Sequence, residues 1–170
     1  IKILEQFKQN GGDLIFLGKT PYLSMARPSE EAKKLVDGAK KLEHSKAAIY
    51  NAMKDKHEVM LRLQNGYMTD HLMYQLRQDG DDKWLFVVNA ERPELAHVTK
   101  EQKVCITVTG TYKPSLYNTF TGEIEDISYE NVDGETQIFA TVYNNTSLLI
   151  KLEKTEEETA YTVAKEKPFE

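Results

Sequence analysis

The chain has 170 residues, 40% of them apolar and 29% charged, so it is long enough to bury a core in one large or two small domains. A net charge of −5 with no basic stripe excludes a nucleic-acid partner bound through phosphates, and no run approaches the ~20 apolar residues of a membrane helix. A single cysteine, Cys105, excludes an intrachain disulfide, and its alternating surroundings Val104-Cys105-Ile106-Thr107-Val108 place it as a small packed side chain in a strand.

Ile3, Leu4 and Phe7 recur at helical spacing, and Gly11-Gly12 closes that helix. The run Leu14-Ile15-Phe16-Leu17-Gly18 is apolar without alternation, which predicts a strand buried on both faces, as in a parallel sheet. Helix, glycine stop and buried strand form half of a doubly wound α/β unit. The chain opens at Ile1 inside an amphipathic pattern, and this leads us to expect a segment of a longer polypeptide. Gly18-Lys19-Thr20 resembles the end of a phosphate loop, but Asp13 stands where the leading glycine is required and Pro21 blocks the helix that would present amides to a phosphate. Ser29 caps a helix whose apolar face is Ala32, Leu35, Val36, Ala39 and Leu42, and Ser45 caps a second one running through Met53 to about Lys54. A first, partial α/β unit therefore spans residues 1–57.

From His57 the period changes to two. Strands are predicted at Val59–Leu63, Leu72–Arg77, Trp84–Asn89, Val104–Val108, Thr136–Val142 and Ser147–Leu152, with turns at Asn65-Gly66, Asp79–Asp82 and Asn144-Asn145. Residues 114–124 form a hairpin: a short strand at Leu116-Tyr117, a turn closed by Thr121-Gly122, and a second strand at Glu123-Ile124. This spacing predicts an antiparallel β-sandwich over residues 58–153, giving an α+β chain overall. Residues 154–170 read as a charged tail or the start of a further domain, with a short strand at Tyr161-Thr162-Val163.

No arrangement of residues announces catalysis. His44, His57, His71 and His97 share no metal-ligand spacing with one another or with Cys105. Asp79-Gly80-Asp81-Asp82 lacks the twelve-residue calcium frame and suits a hairpin turn. Glu123, Glu125 and Asp126 lie along one strand, whereas sugar hydrolysis needs carboxyl groups on opposite walls of a cleft. We therefore assign no catalytic, cofactor or metal residue. Trp84 and Tyr117 are core or rim packing first, and a sugar-stacking platform second. Asn144 and Asn145 open overlapping glycosylation sequons, which matter only in a eukaryotic secretory context.

Three stretches in fixed order, YQLRQDGDDKWLFVVN, PSLYNTFTGEIEDI and GETQIFATVYNNTSLLIKL, resemble the region that follows the catalytic barrel in large bacterial glycoside hydrolases of the α-L-rhamnosidase kind. Phe86, Val87 and Asn89 match that family's first motif. Pro114, Leu116, Asn118, Thr121 and Gly122 match the second, with Tyr117 in place of tryptophan. Ser147, Leu149 and Ile150 match the third, with Asn144 where proline is usual. The N-terminal LEQFKQNGGDLIFLGKTP is similar to the end of the flavodoxin-like (amidotransferase-like) domain that precedes the sandwich there. The resemblance implies a non-catalytic accessory piece of an enzyme acting on plant or host glycans. Its partner would be the remainder of the polypeptide, a catalytic barrel carrying the working carboxylates. A carbohydrate-binding sandwich and a free-standing interaction domain are the rival readings. Compartment, whether cytoplasmic or exported in a bacterium, is left open.

Overall fold

The structure is a computed structural model describing residues 1–93, 95 and 98–164. The chain divides into two compact units, Ile1–Lys56 and His57–Glu170. Antiparallel sheet dominates, joined by three short helices.

In the first unit, α1 (Lys2–Gln9) is followed by β1 (Ile15–Leu17), a two-residue-stranded hairpin of β2 (Leu23–Ser24) and β3 (Arg27–Pro28), α2 (Glu30–Asp37), β4 (Lys40–Leu42) and α3 (Lys46–Met53). Ser29 and Ser45 act as the expected caps: Ala32 N donates to Ser29 Oγ at 3.3 Å and Ala48 N to Ser45 Oγ at 3.2 Å. Two expectations need correction. The helix begun at Ser29 stops at Gly38 rather than running to Leu42, because Lys40–Leu42 pairs in parallel with Ile15–Leu17 instead. The apolar run at Leu14–Gly18 is not buried on both faces: Ile15 and Phe16 are half-buried and Leu17 is exposed, since the sheet it belongs to has only two strands. Along α1, Ile3, Leu4 and Phe7 are exposed as well.

The second unit is a sandwich of two antiparallel sheets. β5 (Val59–Leu63), β8 (Glu101–Thr109), β12 (Glu135–Tyr143) and β11 (Ser128–Val132) form a four-stranded sheet in the order β11-β12-β8-β5. β6 (Leu72–Asp79), β7 (Asp82–Asn89), β13 (Ser147–Lys154), β9 (Tyr112–Tyr117) and β10 (Ile124–Glu125) form a five-stranded one in the order β10-β9-β13-β7-β6. Alternate residues of both sheets meet in one core, led by Leu85, Val87, Ile150 and Leu152 from the second sheet and Val104, Ile106, Val108, Ile138 and Val142 from the first. Each of these is essentially removed from water, so the transfer of their side chains, about 1.5–3 kcal/mol apiece, is the main force holding the sheets together.

The hairpin at 114–124 forms with Ile124 opposite Tyr117, but it is a rim feature: the main partner of β9 is β13, with which it pairs from Leu149↔Tyr117 to Lys154↔Tyr112. β10 reaches only Leu116 and Tyr117, which leaves the edge beside Pro114 open, as a residue without an N–H donor requires. Strand β11 carries no clear apolar alternation in the sequence. Its residues Ser128–Val132 include Glu130 and Asn131, and Asn131 is buried because its amide serves the core rather than solvent. Asn131 Nδ2 donates to Tyr112 O (3.1 Å) and Thr136 Oγ1 (2.9 Å), while Thr136 Oγ1 donates to Gly110 O at 2.7 Å. Gly110, at φ +110°, lies under the Tyr112 ring, where an added Cβ would come within 2.6 Å of a ring carbon.

The stretch beyond Lys154 meets β11 around Thr162, within the short strand expected at Tyr161-Thr162-Val163. Asn131 N donates to Thr159 O at 2.8 Å and Thr159 N to Asn131 Oδ1 at 3.0 Å. Tyr129 and Thr162 exchange backbone hydrogen bonds of 3.1 and 2.8 Å, and Ala164 N donates to Ser128 Oγ. Residues 159–164 thus run along the edge of β11 and cover it, with Tyr161 edge-on to Phe139 at 5.3 Å.

Candidate functional site

Because side chains alternate across a strand, the five-stranded sheet turns one set of residues inward and another outward. The outward set forms ordered rows. Cross-strand registers align Ile124, Tyr117, Leu149, Phe86 and Gln75 in one row and Ser115, Lys151, Trp84 and Arg77 in the next. Beyond these lie Lys113 and Glu153 on β9 and β13, and Asp82 and Asp79 on β7 and β6. On the other side of the first row, Val88 stands between Ser147 and Met73. Ile124, Phe86 and Met73 are exposed, while Trp84, Tyr117 and Leu149 are half-buried.

Trp84 and Tyr117 meet across β13, edge to face, with ring centroids 4.9 Å apart and planes at 70°. The indole N–H donates to Asp79 Oδ2 at 3.1 Å, which fixes the ring's orientation. Asp79 and Asp82 flank the β6–β7 turn, which passes through Gly80 at φ +62°, and Asp82 ties that turn to β13: its Oδ1 accepts from Lys154 N (2.9 Å) and its carboxylate faces Lys151 (3.5 Å). Lys151 is held on its other side by Glu153 at 2.9 Å, and the Glu153 and Asp82 carboxylates raise its pKa.

At one end of the sandwich a second polar group gathers around Glu91. Its carboxylate accepts from Lys100 Nζ at 2.9 Å and from Gln102 Nε2, and the lysine charge holds it below the ordinary carboxylate range. Asn144 ties the loops: its amide donates to Glu91 O (3.2 Å) and accepts from Lys100 N (2.7 Å). Glu91, Arg92, Pro93, Leu95, Lys100 and Asn144 are among the residues lining a cleft of about 460 Å³ there. The buried Asn89 anchors the same end, donating to Tyr143 O and accepting from Glu91 N, both at 3.1 Å. The bonds Asn89 makes to Tyr143 and Asn144 to Glu91 join loops far apart in sequence, which no local reading of either residue shows. At the opposite end, Lys83 reaches Glu58, and the Tyr112 ring lies under both Lys83 Nζ (5.2 Å) and Lys154 Nζ (5.0 Å).

Asn118 explains its place in the hairpin: its carboxamide oxygen accepts from Phe120 N (3.0 Å) and Thr121 N (3.1 Å), and its amide donates to Glu125 at 3.0 Å. Glu125, on β10, thus braces the turn from the strand that follows it. His44, His57 and His71 do not converge with any acidic residue or with Cys105 into a group of three ligands among the described residues, and His97 lies outside them. Cys105 is half-buried on the four-stranded sheet, and burial pushes its thiol pKa up. No described helix is long and apolar enough to cross a membrane.

No family model matches this sequence, and no curated protein does. Among solved structures, 96% of the chain aligns with a rhamnosidase from Novosphingobium sp. PP1Y at 20% sequence identity and a TM-score of 0.58. The chain spans 17% of that protein's length. The likeness is one of fold.

Proposed function

We propose that the chain is an accessory, non-catalytic region of a glycoside hydrolase, in which the sandwich packs beside a catalytic domain carried elsewhere in the same polypeptide. The observation that carries this reading is the fold match: both units together, 96% of the chain, correspond to one part of a rhamnosidase several times longer. The ordered motifs support it from the side of sequence, since Asn89, Asn118 and Pro114 each hold a structural position that the fold needs. On this reading the first unit is the closing portion of a flavodoxin-like layer, and the parallel pairing of β1 with β4, joined across α2, is the feature that favours it.

The test is to extend the coding region on both sides of Ile1–Glu170 and assay the two products. We expect the full-length product to hydrolyse aryl rhamnosides and the 170-residue chain to leave them intact. Turnover by the chain alone, abolished by a point substitution, refutes the reading; so does a reading frame that encodes no catalytic domain.

A further inference from the structure

We infer that the outer face of the five-stranded sheet, at Phe86, Trp84 and Tyr117, is a carbohydrate-binding site that takes an uncharged sugar ring. The inference rests on the glycoside-hydrolase reading only for the choice of sugars to test. Three observations on this face carry it.

Trp84 and Tyr117 are held against each other before any ligand arrives. Trp84 is held by its bond to Asp79 and by the edge of Tyr117, and the strand ladder places Phe86 two residues along β7 from it. Preorganised rings lose little conformational freedom on binding, which matters for a ligand as weakly held as a sugar.

The surroundings are polar on one side and apolar on the other. A pyranose offers a face of C–H bonds and a rim of hydroxyls that both donate and accept; its complement is an aromatic surface edged by charged and amide groups. Ile124, Leu149 and Phe86 supply the apolar row with Gln75 at its end, Arg77 and Lys151 stand in the neighbouring row, and Asp79 lies just beyond it.

The charges on this face balance. Arg77, Lys113 and Lys151 are matched by Asp79, Asp82 and Glu153, and Lys151 is already shared between two of those carboxylates. A face without net charge offers no field to attract an anionic or cationic partner, but keeps many hydrogen-bonding atoms. That combination fits a neutral, polyhydroxylated ligand.

Trp84 is the protein's single tryptophan, so its emission reports directly on the site. The 170-residue chain is titrated with a rhamnose-terminated oligosaccharide, cellohexaose and xylohexaose. A saturable change in emission with at least one of them is expected, with a Kd of about 0.1–1 mM. Tyr117→Ala and Phe86→Ser weaken that binding at least about tenfold. Both side chains point away from the core, and circular dichroism checks that each variant stays folded. Arg77→Gln, at an exposed position on the same face, provides a third variant and is expected to weaken binding about threefold. The inference is overturned if none of the sugars gives saturable binding up to about 10 mM, if binding is unmoved by all three substitutions, or if sedimentation reveals a dimer that the substitutions dissolve. Failure of all sugars beside a full-length product that hydrolyses rhamnosides sinks the inference and spares the hydrolase reading. Sugar binding by a chain whose gene encodes no hydrolase does the reverse.

Discussion

The indole of Trp84 lies edge to face with the phenol of Tyr117, 4.9 Å between centroids, although the two residues sit on strands that are not neighbours. They meet because β13 passes between β7 and β9, and its outward residues Leu149 and Lys151 leave room for the larger rings to reach across. The same geometry sets the first expectation. Asp79→Ala removes the acceptor of the indole N–H, freeing the ring to reorient. Urea unfolding should show a loss of about 1 kcal/mol, with a change in Trp84 emission in the folded baseline. An unchanged emission spectrum would mean that Asp79 does not hold the ring.

Core truncation should be costly and position-dependent. Ile150 is central in its sheet and fully buried, so Ile150→Ala is expected to lower stability by about 2–5 kcal/mol. Ile124, on the outward row, is 62% exposed, and Ile124→Ala should cost less than about 0.5 kcal/mol. Chemical denaturation of the two variants side by side checks the contrast.

The Glu91 cluster predicts an acid dependence. Its folded pKa is depressed by Lys100, so the unfolded chain binds the proton more tightly. The stabilisation is therefore present above the ordinary value of 4.5 and is lost as pH falls through the folded pKa. Glu91→Gln should lower stability at neutral pH and flatten its decline below pH 4.5. Parallel slopes for the two proteins in pH-dependent denaturation would contradict this.

Residues 159–164 shield the edge of β11 through backbone bonds, and proline at position 162 removes the donor that reaches Tyr129 O. Thr162→Pro should speed amide exchange at Tyr129 and Asn131 and raise the tendency to associate at high concentration, because an uncovered edge is a template for another chain. Light scattering and hydrogen exchange read the two effects independently.

Unit by unit, the sequence was informative to different degrees. In the sandwich, alternation at Val104–Val108 reports directly on which residues face inward, because a half-buried strand must alternate. Trp84–Val88, by contrast, is apolar throughout, and only the fold shows that Leu85 and Val87 turn inward. Strand β11 is not legible locally, since Glu130 and Asn131 break the apolar rhythm, and Asn131 is inward for its hydrogen bonds to Tyr112 and Thr136, partners brought near only by folding. In the first unit, Lys40–Leu42 continues the helical pattern of Ala32, Leu35 and Val36 so well that only its pairing with Ile15–Leu17 marks it as strand.

The amino-acid order alone determined the turns, the helix caps and the places of most strands, since these depend on neighbours a few residues away. Which strands lie side by side was decided by tertiary structure: β13 inserts between β7 and β9, and so sets Trp84 against Tyr117 and builds the outward rows of the five-stranded sheet. Pairing between distant strands is fixed by the joint burial of both sheets' inner faces, and no local stretch of sequence carries that information.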